Sequence, residues 1–206
     1  MVVITRGDAG MHEDLIRCFI AAELPADLLN EIGTYTGRLS GQTSGIRWVK
    51  PEGIHITLKF LGEITVSKVS AVKAQLGGIG GVADPFDLRI SGSGCFPNRR
   101  QPRVIWLGLE HDPAHSLFKL HSWMDEQLED LGFSREKRRF SPHLTLGRIK
   151  NLENPESLYA YLDQNPFPEK SFAVGEIFFK QSLLKPSGAV YKTLAGFPLG
   201  VQTLPL

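Results

Sequence analysis

Two tetrapeptides of one pattern, His55-Ile56-Thr57-Leu58 and His143-Leu144-Thr145-Leu146, stand 88 residues apart in a chain of 206. Random order of its six His, nine Thr and 26 Leu gives about 0.03 copies of His-x-Thr-Leu, so a second copy is a signal. Both copies alternate polar with apolar side chains, and on a strand alternate side chains point to opposite faces. Ile54, Ile56, Leu58 and Phe60 are expected to face a core, with His55, Thr57 and Lys59 on the other side. In the second copy Leu144 and Leu146 face inward and His143 and Thr145 outward. An imidazole and a hydroxyl then stand about 7 Å apart along each strand, near enough to address different atoms of one phosphate. Two such strands across a groove supply one imidazole to take a proton from an attacking water or hydroxyl and another to protonate a leaving oxygen. Histidine suits either task because its ordinary pKa of about 6.5 lies near neutrality, and each such transfer contributes about 10²–10⁴-fold. This is the equipment of metal-free phosphodiester chemistry. A metal site fits less well, because no Asp, Glu or Cys accompanies either His at ligand spacing and Thr is a poor zinc or iron ligand.

The elements around the motifs must bring the two strands together. Patterning predicts a strand over 15–22, a helix over 27–39, strands over 45–50 and 54–61 joined by a turn at 51–53, and a helix over 66–76 closed by Gly77 and Gly78. Strands follow over 86–96 and 104–109, with a basic loop between them. Leu117, Leu120, Met124, Leu128 and Leu131 then form a helical stripe ended by Gly132. A strand over 141–150, a helix over 153–163, a strand over 172–180 and a hairpin over 183–194 turning at Pro186, Ser187 and Gly188 complete the order. Helices mixed with hairpins point to an α+β fold rather than a doubly wound parallel sheet. A motif spacing near half the chain length points to two related lobes, one copy in each.

The doubled motif resembles the two-histidine (2H) phosphoesterase superfamily, and its surroundings are similar to the RNA 2′,3′-cyclic phosphodiesterase branch, also called 2′-5′ RNA ligase. The segments that carry the resemblance are Arg17 to Ala21, Arg47-Trp48-Val49, His55 to Gly62, Pro102 to Gly108, Phe140 to Arg148 and Gly188 to Tyr191. The resemblance implies a bilobal α+β fold, with two pseudo-symmetric lobes whose antiparallel sheets line a central groove and with helices outside. It also implies hydrolysis of RNA 2′,3′-cyclic phosphate ends to 2′-phosphates without metal or other cofactor. Under it His55 is the proton donor to the leaving 3′ oxygen, His143 is the proton acceptor that activates water, and Thr57, Thr145 and Arg148 bind the phosphate. Strand parity puts Arg148 on the face of Leu144 and Leu146, where an unpaired charge is costly. A bulge at Gly147 would turn it to the histidine face. The residues by themselves leave acid and base undistinguished. They also leave two other readings open: RNA end joining by the reverse chemistry, with a 5′ hydroxyl in place of water, and a nucleotide or RNA-end binding module without turnover.

Charge narrows the partner. Lys plus Arg number 23 against 22 Asp plus Glu, so there is no global positive field to grip long DNA or an anionic membrane. Locally, residues 110–131 carry six acids and one Lys, whereas 133–150 carry six cations and one Glu. That polarity suits a single phosphate at an RNA end, or a cyclic nucleotide. Arg99, Arg100 and Arg103 beside Phe96 are a second candidate RNA contact, and Arg47 and Trp48 are candidate groove residues. His121 lies along the helical stripe and is expected to be structural, whereas His111 and His115 fall at the helix entrance. No apolar run approaches the roughly 20 residues of a membrane span, and the first residues lack the order of a secretory signal. A cytoplasmic monomer is expected, with Cys18 and Cys95 reduced. Residues 1–14 are expected to be a frayed extension, 15–199 one bilobal domain and 200–206 a tail.

Overall fold

A computed structural model describes residues 14–200 apart from 111, 113 and 187. Nearly all of the expected N-terminal extension, the tail from 201 onward, His12 and His111 therefore lie outside the described residues. In chain order the elements are β1 (Leu15–Ala22), α1 (Ala26–Ser40), β2 (Ile46–Trp48), a 3-10 turn at Pro51–Gly53, β3 (Ile56–Thr65), α2 (Val66–Leu76), β4 (Phe86–Phe96) and β5 (Val104–Glu110). They continue with α3 (Ser116–Gln127), β6 (His143–Ile149), α4 (Pro155–Gln164), β7 (Lys170–Val174), β8 (Glu176–Lys185) and β9 (Gly188–Pro198).

The strands pair antiparallel in the order β7-β4-β5-β6-β3-β1-β8-β9, with β2 added beside β6. This makes two lobes of sheet. β1, β3, β8 and β9 form one, and β4, β5, β6 and β7 form the other. At the seam β3 and β6 share a single ladder pair, Ile56 opposite Leu144. One face of the sheet is covered by the helices. Leu28, Ile32 and Leu39 of α1, Leu76 of α2, Leu120 and Met124 of α3 and Leu158 of α4 pack there with Ile20, Ile56, Ile105, Leu107, Leu144 and Phe179 of the strands. Each such side chain contributes about 1.5–3 kcal/mol on burial. The other face carries the polar positions of both motifs.

Three expectations change. The 117–131 stripe is not one helix: α3 stops at Gln127, a 3-10 turn spans Glu129–Leu131, and Gly132 closes it at φ 83°, a conformation that glycine takes without a Cβ clash. The single strand expected over 172–180 is two. Through Val174 the chain pairs with β4, and from Glu176 it pairs with β1 and β9, so it crosses between lobes at Gly175. The third change is in β3. Ile20 lies opposite Lys59 but Ala21 lies opposite Thr57, which makes Leu58 an extra residue and reverses the alternation beyond it. Lys59 is thereby turned to the helix side, 3% exposed, and Phe60 outward, 59% exposed.

Buried Lys59 has a counter-ion. It pairs with Asp125 of α3 and donates a second hydrogen bond to the Ser134 carbonyl, 3.1 Å away. The other Asp125 oxygen accepts from the Glu136 backbone N–H at 3.2 Å. Burial raises the proton affinity of Asp125, but the Lys59 and Glu136 donors outweigh it and hold the carboxyl below its ordinary range. Cys18 and Cys95 are buried free thiols, and no helix among the described residues is long and apolar enough to cross a membrane.

Candidate active site

The seam pair brings the two motifs side by side. With Ile56 opposite Leu144 and both fully buried, one further residue each way sets His55 beside Thr145 and Thr57 beside His143, on the face away from the helices. Each imidazole is tethered in the same manner. His55 Nδ1 lies 2.9 Å from the Gly53 carbonyl oxygen, and His143 Nδ1 lies 2.7 Å from that of Ser141, in each case two residues upstream. A carbonyl only accepts, so Nδ1 carries the hydrogen in both rings and Nε2 is the nitrogen left for proton exchange.

Aromatic walls hold the rings. Phe19 of β1 stacks on His55 at 4.8 Å, and Tyr191 of β9 meets both rings edge-on at 5.0 Å. In the other lobe Phe96 meets His143 edge-on at 4.9 Å and leans on Trp106 at 5.0 Å. The Trp106 indole lies over Gly94, where an added Cβ would come within 2.5 Å of the ring, so glycine leaves the room this stack needs. Burial is the main reason that His55 is lowered to about 4. The Gly53 carbonyl opposes the shift, Lys180 adds to it, Glu23 opposes it and Arg148 adds again. His143 is also lowered, by burial first, with the Ser141 carbonyl opposing and Arg148 adding. Both rings are therefore neutral near pH 7 without substrate, and an anion placed between them raises their affinity for protons.

A stability consequence follows for His55. The unfolded chain binds its proton near pH 6.5 and the folded chain only near pH 4, so the stabilisation is complete above about 6.5 and is lost as pH falls toward 4. The partly buried ring sets an upper size of about 3 kcal/mol, and His143 acts in the same direction. Urea unfolding near pH 7 and near pH 5 should show a smaller acid loss in His55→Gln than in the wild type. Equal losses would show that the ring is hydrated in the folded protein.

Arg148 reaches the same face through a bulge. Ile105 of β5 lies opposite Gly147 and Trp106 opposite Thr145, so Leu146 is extra; it stays buried, and Arg148 emerges exposed on the histidine side. An added Cβ on Gly147 would sit 2.7 Å from Ile46 and 3.1 Å from Trp48, so the bulge depends on close approach of β2. Across the β2–β6 ladder, Arg148 faces Arg47.

Several side chains here escape sequence reasoning. Lys180 of β8 lies opposite Phe19 and forms an ion pair with Glu23, although it is only 8% exposed. The visible sign was a Lys ending the apolar run Ile177 to Phe179, since a charge there needs a partner. Tyr191 closes a segment that carries the family resemblance, but its position over His55 depends on strand pairing across more than a hundred residues, which periodicity does not show. Other candidates already have partners. Arg99 is held by both oxygens of Asp163 at 2.7 and 2.5 Å, and Arg135 by Glu129 at 2.8 Å. His121 is buried and stacks on Phe140 at 4.2 Å. Among the described residues no three His, Cys, Asp or Glu side chains converge to hold a metal ion.

Comparison with known proteins places this geometry. A family model, LigT like Phosphoesterase, matches twice, over residues 23–106 and 107–191, so each match contains one His-x-Thr strand. An RNA 2′,3′-cyclic phosphodiesterase of Archaeoglobus fulgidus is 35% identical over 184 residues, 88% of this chain and 99% of its own. One from Methanothermobacter thermautotrophicus is 32% identical over 185 residues, 89% of this chain and 99% of its own. Among solved structures, TT0787 of Thermus thermophilus superposes with a TM-score of 0.75 at 25% identity, covering 91% of this chain and all of the other. E. coli LigT complexed with 3′-AMP gives 0.70 at 26% identity, covering 90% of this chain and 99% of the other. A family pattern found once in each half, on a chain whose two halves meet at their histidine strands, leaves one conclusion: the chain belongs to the LigT-like phosphoesterase family.

Proposed function

We propose that this protein hydrolyses RNA 2′,3′-cyclic phosphate ends to 2′-phosphates by general acid–base catalysis without a metal, acting as a cytoplasmic monomer in RNA processing, with its bilobal domain spanning 15–199. The observation that carries the reading is the pair of imidazoles on adjoining strands, each with Nδ1 tied to a main-chain carbonyl and Nε2 left for proton exchange. His143 takes a proton from water as the water oxygen bonds to phosphorus. The bond from phosphorus to the 3′ oxygen breaks, and His55 protonates that oxygen, leaving a 3′ hydroxyl and a 2′-phosphate. His143 ends charged and His55 neutral, and exchange with solvent restores both. His55 acquires its proton when the anionic substrate enters, since burial in the protein alone disfavours it. Thr57 and Thr145 hydroxyls donate to the nonbridging oxygens, and Arg148 neutralises the charge that grows there. The relatives named RNA 2′,3′-cyclic phosphodiesterase support this substrate, and the LigT complex with 3′-AMP supports a nucleotide as ligand.

The test is an oligoribonucleotide with a 2′,3′-cyclic end, incubated with excess chelator. A 2′-phosphate product formed at undiminished rate is the expected result. Full dependence on added metal, saturable binding without turnover, or joined RNA as the sole product from a 5′-hydroxyl partner would each overturn it.

A further inference from the structure

The β2–β6 ladder contains an arrangement that the hydrolysis of one phosphate does not use. Arg47 and Arg148 stand directly across from each other on neighbouring strands, and both are exposed. Like charges in that position repel and weaken the ladder. Neither guanidinium has a carboxylate partner among the described residues, whereas Arg89, Arg99 and Arg135 each do. The bulge at Leu146 is what puts Arg148 on this face at all. The terminal nitrogen of Arg47 lies 3.4 Å from where a Cβ on Gly188 would stand, at the start of β9. An anion between the two cations would turn the repulsion into attraction.

Allowing for the bulge, Arg148 lies two strand steps beyond Thr145, about 7 Å along β6. That is comparable to the spacing of neighbouring phosphates in a nucleic-acid strand. We infer that Arg47, together with Arg148, forms a second phosphate subsite that holds the phosphodiester one nucleotide before the cyclic end, so that the preferred substrate is the 3′ end of an RNA chain and not a cyclic mononucleotide. The inference rests on the hydrolytic reading above. Arg148 serves both positions, because its charge is felt by both imidazoles, while Arg47 is specific to the second.

The test compares kcat/KM for a 2′,3′-cyclic mononucleotide with that for a dinucleotide carrying the same cyclic end, in the wild type, Arg47→Gln and Arg47→Lys. The wild type should prefer the dinucleotide. Arg47→Gln should lose about tenfold more on the dinucleotide than on the mononucleotide, the size of one charge-assisted contact. Its activity on the dinucleotide should also become less sensitive to salt than that of the wild type, because one phosphate contact is lost. Arg47→Lys should keep part of the preference. Equal losses on both substrates would assign Arg47 to the reacting phosphate, and no loss on either would leave it without a ligand; each overturns the inference while hydrolysis stands. A wild type that hydrolyses neither substrate overturns the hydrolytic reading and this one with it.

Discussion

Alanine at His143 is expected to lower kcat/KM for a cyclic-ended RNA by about 10²–10⁴-fold, and alanine at His55 by a similar factor. The two proton transfers belong to one displacement, so the double variant should lose little beyond the worse single one. Fully multiplicative losses would mean that the rings act independently. The pH profile separates their roles. A base must be neutral and an acid charged, so His143→Ala should flatten the acidic limb and His55→Ala the alkaline limb. The opposite pattern would exchange the assignments. Such an exchange has a physical basis to test, because His55 is the ring held to about 4, under burial and the nearby Lys180.

The largest stability loss is expected at Asp125. Asp125→Ala leaves the Lys59 ammonium, whose side chain is 2% exposed, without its carboxylate, and breaking a buried pair in this way costs about 3–5 kcal/mol. Replacing both members by apolar residues of similar size should recover most of it, because the loss comes from a stranded charge. Denaturant midpoints for Asp125→Ala and for Lys59→Met combined with Asp125→Leu provide the measurement. A cost below about 1 kcal/mol for the single variant would show that water reaches Lys59. Activity should fall as well. Lys59 holds Ser134 and Asp125 holds Glu136, so the pair pins to α3 and β3 the loop that delivers His143.

Sequence periodicity carried much of this architecture. β1 and α2 occupy the residues expected of them, Leu15–Ala22 and Val66–Leu76, because one is an unbroken run of β-forming residues before Pro25 and the other keeps a helical spacing up to its closing glycines. The motif strands were legible for the same reason up to Leu58. Beyond it the alternation of Leu58, Lys59 and Phe60 continues in the text but not in space, since a bulge is set by the neighbouring strand's register and leaves no mark in periodicity. The break at Gly175 was hidden likewise: Phe172 to Lys180 reads as one β-rich run, and only the pairing partners differ on its two sides. At the site, sequence brought forward the residues that repeat, His55, Thr57, His143 and Thr145. It passed over Lys180 and Glu23, which one lobe alone supplies, and marked Tyr191 only as part of a resembling segment. Arg99 looked available because its neutralising Asp163 arrives from a helix 64 residues away.

Each imidazole takes its carbonyl tether and its aromatic wall from its own lobe: Gly53, Phe19 and Tyr191 for His55, Ser141 and Phe96 for His143. The lobes thus behave as two jaws that carry finished tips, and the gap between the tips is gauged where Ile56 meets Leu144. Ile56 and Leu144 back that seam from the buried side, opposite the face that carries the two rings. Trimming either one should leave a cavity beneath the joint and loosen one jaw against the other, although neither side chain lies on the histidine face.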